Sequence, residues 1–151
     1  MPRITRTADV TWEGNVARGA GALTAGSGAF AGLPYSLPTR IGAAEGKTSP
    51  EELLAAAHAG CFAMGLAGEL TGAGTPPERL DVTCTITMDE VEGQGHQIVG
   101  STIEAVARVP GLEPAAFDGL VVTADEGCPF SALLKNAGAA VSVSATLEPG
   151  S

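Results

Sequence analysis

Three cysteines, two histidines and a few charged residues near them are the groups in this chain best suited to covalent chemistry. Cys61 lies in Ala59-Gly60-Cys61-Phe62, three residues after His58; Cys128 opens Cys128-Pro129-Phe130-Ser131; Cys84 sits between Val82 and Ile86. The thiolate, not the thiol, is the nucleophile, so the environment of each sulfur decides its use. Cys128 stands just before a proline at the first position of a short helix. There its sulfur meets unpaired N–H groups and the positive end of a helix dipole, which favours the thiolate. Cys61 falls mid-helix among apolar residues, where burial raises a thiol pKa. On composition alone it reads as a core cysteine, and it needs a cation from elsewhere to react. Arg40 and Lys47 are near in sequence, and Glu51 or Glu52 could hold such a cation in place. Cys84 reads as a small buried hydrophobe. His58 could act as a base or ligand, although one histidine in an Ala-rich helix is more often a satisfied core residue. No CxxC or HExxH spacing occurs, so neither a metal nor a cofactor is expected.

The element that must carry Cys61 is the stretch Ser49–Leu70, which has a complete helix signature. Ser49 is an N-cap, Pro50 suits the first helical position, and Glu52 is placed for a capping box. Thr71-Gly72-Ala73-Gly74 and Pro76-Pro77 close it. It is apolar nearly all round, which predicts a buried central helix packed closely along its Ala and Gly residues. Leu53–Gly68 gives only 16 residues without a formal charge, short of the roughly 20 that a membrane span needs. Ala8–Glu13 is expected to be a strand, Val16–Thr24 a second strand and turn, and Leu33–Pro38 an extended segment or edge strand limited by its prolines. Arg79–Asp89 alternates strictly and pairs with Gln97–Val109 as a hairpin. Pro114–Thr123 predicts a second helix, broken at Asp125-Glu126-Gly127. A short helix then runs from Cys128-Pro129 to about Asn136, and Ala139–Leu147 is a closing strand. The class is α+β with antiparallel sheets.

At 151 residues the chain is expected to be one domain, 1–151, large enough for a real core. A formal charge of −9 and the lack of any basic run argue against nucleic acid and anionic membranes. The N-terminus MPRITRTADV carries no apolar stretch of signal-peptide length, which favours the cytoplasm. An odd count of 3 cysteines argues against a structural disulfide framework.

Two motifs resemble one family. Thr48-Ser49-Pro50-Glu51-Glu52-Leu53-Leu54-Ala55-Ala56-Ala57-His58-Ala59-Gly60-Cys61-Phe62 is similar to the catalytic-helix motif of the OsmC/Ohr thiol-dependent hydroperoxide reductases, and Cys128-Pro129-Phe130-Ser131 to their second-cysteine motif. Pro34-Tyr35-Ser36-Leu37-Pro38-Thr39-Arg40 looks more like the OsmC branch than the Ohr branch. Where family members often carry a basic residue soon after the second-cysteine motif, this chain has Ala132-Leu133-Leu134.

The resemblance implies an OsmC-like α+β fold, with antiparallel sheets on long central helices in an intertwined homodimer. It makes Cys61 the peroxidatic thiolate, Cys128 the resolving thiol, Arg40 the cation on the thiolate and peroxide, and Glu51 the carboxylate that orients Arg40. The implied activity is a two-cysteine, metal- and haem-free peroxidase. It would reduce organic hydroperoxides, and hydrogen peroxide more weakly, and be recycled by a dithiol such as a lipoyl-bearing protein. An apolar approach lined by Phe62, Met64, Phe130 and Leu133 would favour organic peroxides. Two other classes stand beside this reading: a non-peroxidase redox-sensing or small-ligand-binding module, and a structural domain with three buried thiols.

Overall fold

The computed structural model describes residues 1–149. Its elements run β1 (Ala8–Glu13), β2 (Ala20–Ala25), β3 (Leu33–Tyr35), α1 (Leu37–Ile41), α2 (Pro50–Gly72), β4 (Arg79–Val91), β5 (Gly95–Arg108), α3 (Pro114–Gly127), α4 (Pro129–Asn136) and β6 (Ala140–Leu147). The chain is a mixed α+β protein whose contacts divide it into two units, Met1–Leu53 and one that begins at Leu54.

In the first unit β1, β2 and β3 form an antiparallel sheet in that order. Gly21 sits between Trp12 on β1 and Tyr35 on β3. Without a side chain there, the two rings approach to 5.6 Å between centroids, tilted by 59°, within the range of favourable aromatic pairs. A Cβ on Gly21 would overlap the Tyr35 ring and press on that of Trp12. Gly21→Ala is therefore expected to destabilise this unit by about 1–3 kcal/mol through overpacking. Because Trp12 is the only tryptophan, a shift in emission and a loss of near-ultraviolet dichroism would report it. An unchanged spectrum and melting curve would contradict the packing argument.

The segment after β3 departs from its expected extended form. Ser36 caps α1 by accepting from the Thr39 N–H at 3.3 Å, and Pro38 falls in the first turn, where a missing N–H is harmless. The prolines thus start a short helix, with Arg40 in its last turn.

α2 begins as its caps predict. Ser49 Oγ accepts from the Glu52 N–H at 3.1 Å, while the Glu52 carboxylate accepts from the Thr48 hydroxyl at 3.0 Å instead of closing a capping box. Only one face of α2 is fully covered: His58, Phe62, Leu66 and Leu70, spaced four apart. The opposite stripe of Ala56, Gly60, Met64 and Gly68 is exposed, Met64 at 79%. Complete burial was the expectation from composition; the small Ala and Gly side chains leave little apolar area on that face. By length and composition α2 could cross a membrane, but its covered stripe shares a core with Ile103, Ala105 and Ala107 of β5 and Phe117, Val121 and Ala124 of α3.

β4 and β5 form the expected antiparallel hairpin around Glu92-Gly93-Gln94, with a register shift at Thr87/Met88. β6, however, pairs parallel to β5, so this sheet is mixed and not antiparallel. The reason is the connection. α3 and α4 carry the chain back along the sheet before β6 begins, as a crossover between parallel strands requires. α3 also continues through Asp125-Glu126-Gly127 to the end of that triplet. Its carboxyl end is pinned to α4 by the Lys135 ammonium on Asp125 at 2.7 Å.

Candidate active site

All three cysteines are free thiols, Cys61 and Cys84 half-buried and Cys128 buried. α2 and the start of α4 bring Cys61 and Cys128 together. Burial and then the adjoining Cys128 thiol push the Cys61 pKa up, and the Phe130 backbone N–H pulls it down. Cys128 is the N-cap of α4, yet its side chain makes no capping hydrogen bond. The helix terminus that local sequence assigns to Cys128 therefore lends an N–H to Cys61, across from it. This arrangement can stabilise negative charge on Cys61 and places a second sulfur beside it.

In the first unit Arg40 and Glu51 form a forked ion pair. Arg40 Nε lies 3.0 Å from both carboxylate oxygens, and Nη2 makes a further short contact. The guanidinium hydrogen bond holds the Glu51 carboxyl below its ordinary range, and Glu51 in turn raises the Arg40 pKa. The pair is anchored by two helix ends: the last turn of α1 delivers Arg40, and the first turn of α2 delivers Glu51.

Beside Arg40 is a cavity of about 150 Å³ lined by Trp12, Val16, Tyr35, Ser36 and Leu37. Sequence reasoning did not find it. Trp12, Tyr35 and Arg40 come from separate elements, and no local pattern in the sequence brings them together. The apolar lining expected from α2 and α4 is partly corrected. Phe62 is fully buried in the core and lines nothing open, while Met64 and Leu133 are exposed at 79% and 60%.

Behind the thiol pair lies a polar cluster that the sequence did not disclose. His58 is fully buried, with Nδ1 2.6 Å from Ser101 Oγ and Nε2 2.7 Å from Ser131 Oγ. Cys84 joins it, its sulfur 3.2 Å from Ser101 Oγ and 3.8 Å from His58 Nδ1. Cys84 is thus more than an apolar filler.

Burial lowers the His58 pKa, with Asp125 raising it and Lys135 lowering it further. A depressed histidine pKa means that the unfolded chain takes up a proton first as pH falls. Stability from this site is complete above the ordinary value of 6.5 and is lost progressively below it. Glu51 behaves in the same sense but lower, its contribution persisting until pH falls below the ordinary 4.5. Melting temperatures measured from pH 8 to pH 3 are expected to fall in two stages, and the upper stage should vanish in His58→Gln. A flat profile between pH 7 and 5 would contradict the assignment.

The family described as OsmC-like protein matches residues 42–144. Peroxiredoxin OsmC of Escherichia coli (strain K12) is 38% identical over 132 residues, which cover 87% of this chain and 91% of that protein. Organic hydroperoxide resistance protein of Xanthomonas axonopodis pv. citri (strain 306) is 33% identical over 100 residues, 64% of this chain and 66% of that protein. Among solved structures, the organic hydroperoxide resistance protein OsmC of Legionella pneumophila has a TM-score of 0.71 at 22% identity, covering 95% of this chain and 99% of its own. OhrB of Bacillus subtilis has a TM-score of 0.65 at 26% identity, with 94% and 98% covered.

Proposed function

The chain belongs to the OsmC-like family, and from that premise we propose that it is a two-cysteine peroxidase that reduces organic hydroperoxides to alcohols. Relatives named for peroxiredoxin activity and hydroperoxide resistance support a peroxide-related redox role. The observation that carries the finer reading is the pairing of Cys61 with Cys128, both free, with the Phe130 N–H directed to Cys61.

The Cys61 thiolate attacks the distal peroxide oxygen; the O–O bond breaks, and the alkoxide leaves and is protonated to the alcohol. Cys61 becomes a sulfenic acid. Arg40, oriented by Glu51, lowers the thiol pKa beforehand and then meets the charge that develops on oxygen. The Cys128 thiol condenses with the sulfenic acid to give a Cys61–Cys128 disulfide and one water. A dithiol, such as the lipoyl group of a carrier protein, restores both thiols by exchange and leaves as its own disulfide. The cavity beside Arg40, walled by Trp12, Tyr35 and Leu37, suits the apolar part of an organic peroxide better than hydrogen peroxide. The exposed small-residue stripe of α2 suits close packing against a second copy in a homodimer, and the setting we infer is cytoplasmic.

A peroxide-consumption assay tests this reading, with cumene hydroperoxide, tert-butyl hydroperoxide and hydrogen peroxide as substrates. Dihydrolipoamide and thioredoxin serve separately as reductants. Rapid dithiol-dependent turnover of the organic peroxides is expected. The raised Cys61 pKa favours a second reading, a redox-sensing or small-ligand-binding module. Stoichiometric thiol oxidation without turnover would select it and end the peroxidase reading.

A further inference from the structure

His58 takes no part in the thiol chemistry above, yet both of its ring nitrogens are engaged, on Ser101 of β5 and Ser131 of α4. All three residues are fully buried. In such a setting a hydrogen bond is strong, and losing one partner strands a polar atom away from water. A core that needed only filling would be served by an apolar side chain without that hazard.

The spacing gives the cluster a purpose. His58 precedes Cys61 by three residues on α2, which makes them neighbours on adjoining faces. Ser131 follows Cys128 by three residues across the first turn of α4. The pairs 58/131 and 61/128 are therefore in one register, with the two segments passing in opposite directions. Fixing the first pair fixes the second. Apart from the Phe130 N–H on Cys61, further polar ties on this segment run to α3: the Cys128 N–H donates to the Asp125 carbonyl at 3.1 Å, and Lys135 pairs with Asp125. The His58–Ser131 bond is a side-chain tie, independent of the two sulfurs, that runs from the helix of Cys61 to the helix headed by Cys128.

We propose that His58 is a positioning residue that holds Cys128 in disulfide register with Cys61 through Ser131. The step it serves is the condensation of the Cys61 sulfenic acid with the Cys128 thiol, which forms the S–S bond and releases water. To that extent it rests on the two-cysteine reading. A disulfide requires the two Cα atoms to lie within roughly 4.4–6.8 Å and the Cβ vectors to face each other, so a small drift of α4 is enough to slow it. The two edges of the imidazole do different work. Nδ1 holds the ring to β5, and Nε2 carries the tie to α4.

That division gives the test. An Asn side chain reaches the place of Nδ1 but not that of Nε2, whereas Gln reaches the place of Nε2. Wild type, Ser131→Ala, Ser101→Ala, His58→Asn and His58→Gln are compared in two measurements. The first is equilibration in glutathione buffers, which gives the effective concentration of Cys128 toward Cys61 without any peroxide. The second is the lifetime of the Cys61 sulfenic acid after one equivalent of cumene hydroperoxide, read by dimedone trapping.

Ser131→Ala and His58→Asn are expected to lower the effective concentration and prolong the sulfenic acid by about tenfold, as modest misplacement of reacting groups does. In redox terms that is about 30 mV. His58→Gln and Ser101→Ala should stay within about twofold of wild type. A merely structural role would make the two serine variants alike, and that result overturns the proposal, as does a wild-type value for Ser131→Ala. If Ser131→Ala fails to fold, the contrast between Asn and Gln at position 58 decides. If wild type consumes no peroxide but forms the disulfide in glutathione, the peroxidase reading falls and this one is still judged by the first measurement. If no Cys61–Cys128 disulfide forms in either, this one falls.

Discussion

Cys61→Ser is expected to lose dithiol-dependent hydroperoxide reduction to background, a fall of ~10³-fold or more in kcat/KM, because it removes the nucleophile itself. A serine hydroxyl in the same half-buried site is not ionised and cannot cycle through a sulfenic acid. The informative companions are the other two cysteines. Cys128→Ser should consume about one peroxide per chain and then stall with a sulfenic acid that dimedone traps. Cys84→Ser should keep turning over, since Cys84 meets Ser101 and His58 and not the thiol pair. Stopped-flow peroxide consumption, with mass spectrometry of the trapped species, separates the three. Loss of activity in Cys84→Ser with retention in Cys61→Ser would reassign the chemistry entirely.

Arg40→Ala carries the second large effect. Burial and the neighbouring Cys128 hold the Cys61 pKa up, so a functional thiolate needs a positive charge that the Phe130 N–H alone does not supply. In the proposed mechanism Arg40 supplies that charge. Its contacts with Glu51 use Nε and Nη2, so Nη1 takes no part in them. Removing a preorganised group of this kind from a developing oxyanion costs about 10²–10³ in rate, and kcat/KM for cumene hydroperoxide is expected to fall by that much. The sign for Cys61 follows directly: losing the cation disfavours the thiolate, so the pH profile of iodoacetamide alkylation moves to higher pH. Glu51→Gln should produce the same shift, smaller, because the arginine remains but is no longer held. An alkylation profile unchanged by Arg40→Ala would remove Arg40 from the mechanism.

What the sequence disclosed follows from how local each signal is. The start of α2 was legible because Ser49, Pro50 and the two glutamates act within one turn. The β4–β5 hairpin was legible because alternation and turn chemistry lie within adjacent segments. The start of α4 was legible from Pro129. α1 was missed because Pro34 and Pro38 look alike as breakers, whereas Pro38 follows the capping Ser36 and opens a helix. The parallel placing of β6 had no local signature, since alternation gives which face a strand buries and not the direction of its neighbour. The site divides in the same way. Two cysteine motifs stood out as short runs, while the ties of His58 to Ser101 and Ser131 span 43 and 73 positions and leave no pattern between them. A lone histidine on an apolar stripe was the one visible trace.

The parallel docking of β6 has a consequence for how the chain is made. β4 and β5 are contiguous and can zip together as soon as both have left the ribosome, but the outer edge of β5 then waits for α3, α4 and finally Ala140–Leu147. During that interval a fourteen-residue strand bearing Ile103, Ala105 and Ala107 has one row of backbone groups open to any other extended chain. A nascent chain halted before Ala140 is therefore a template for strand addition, and β6 is the strand that silences it.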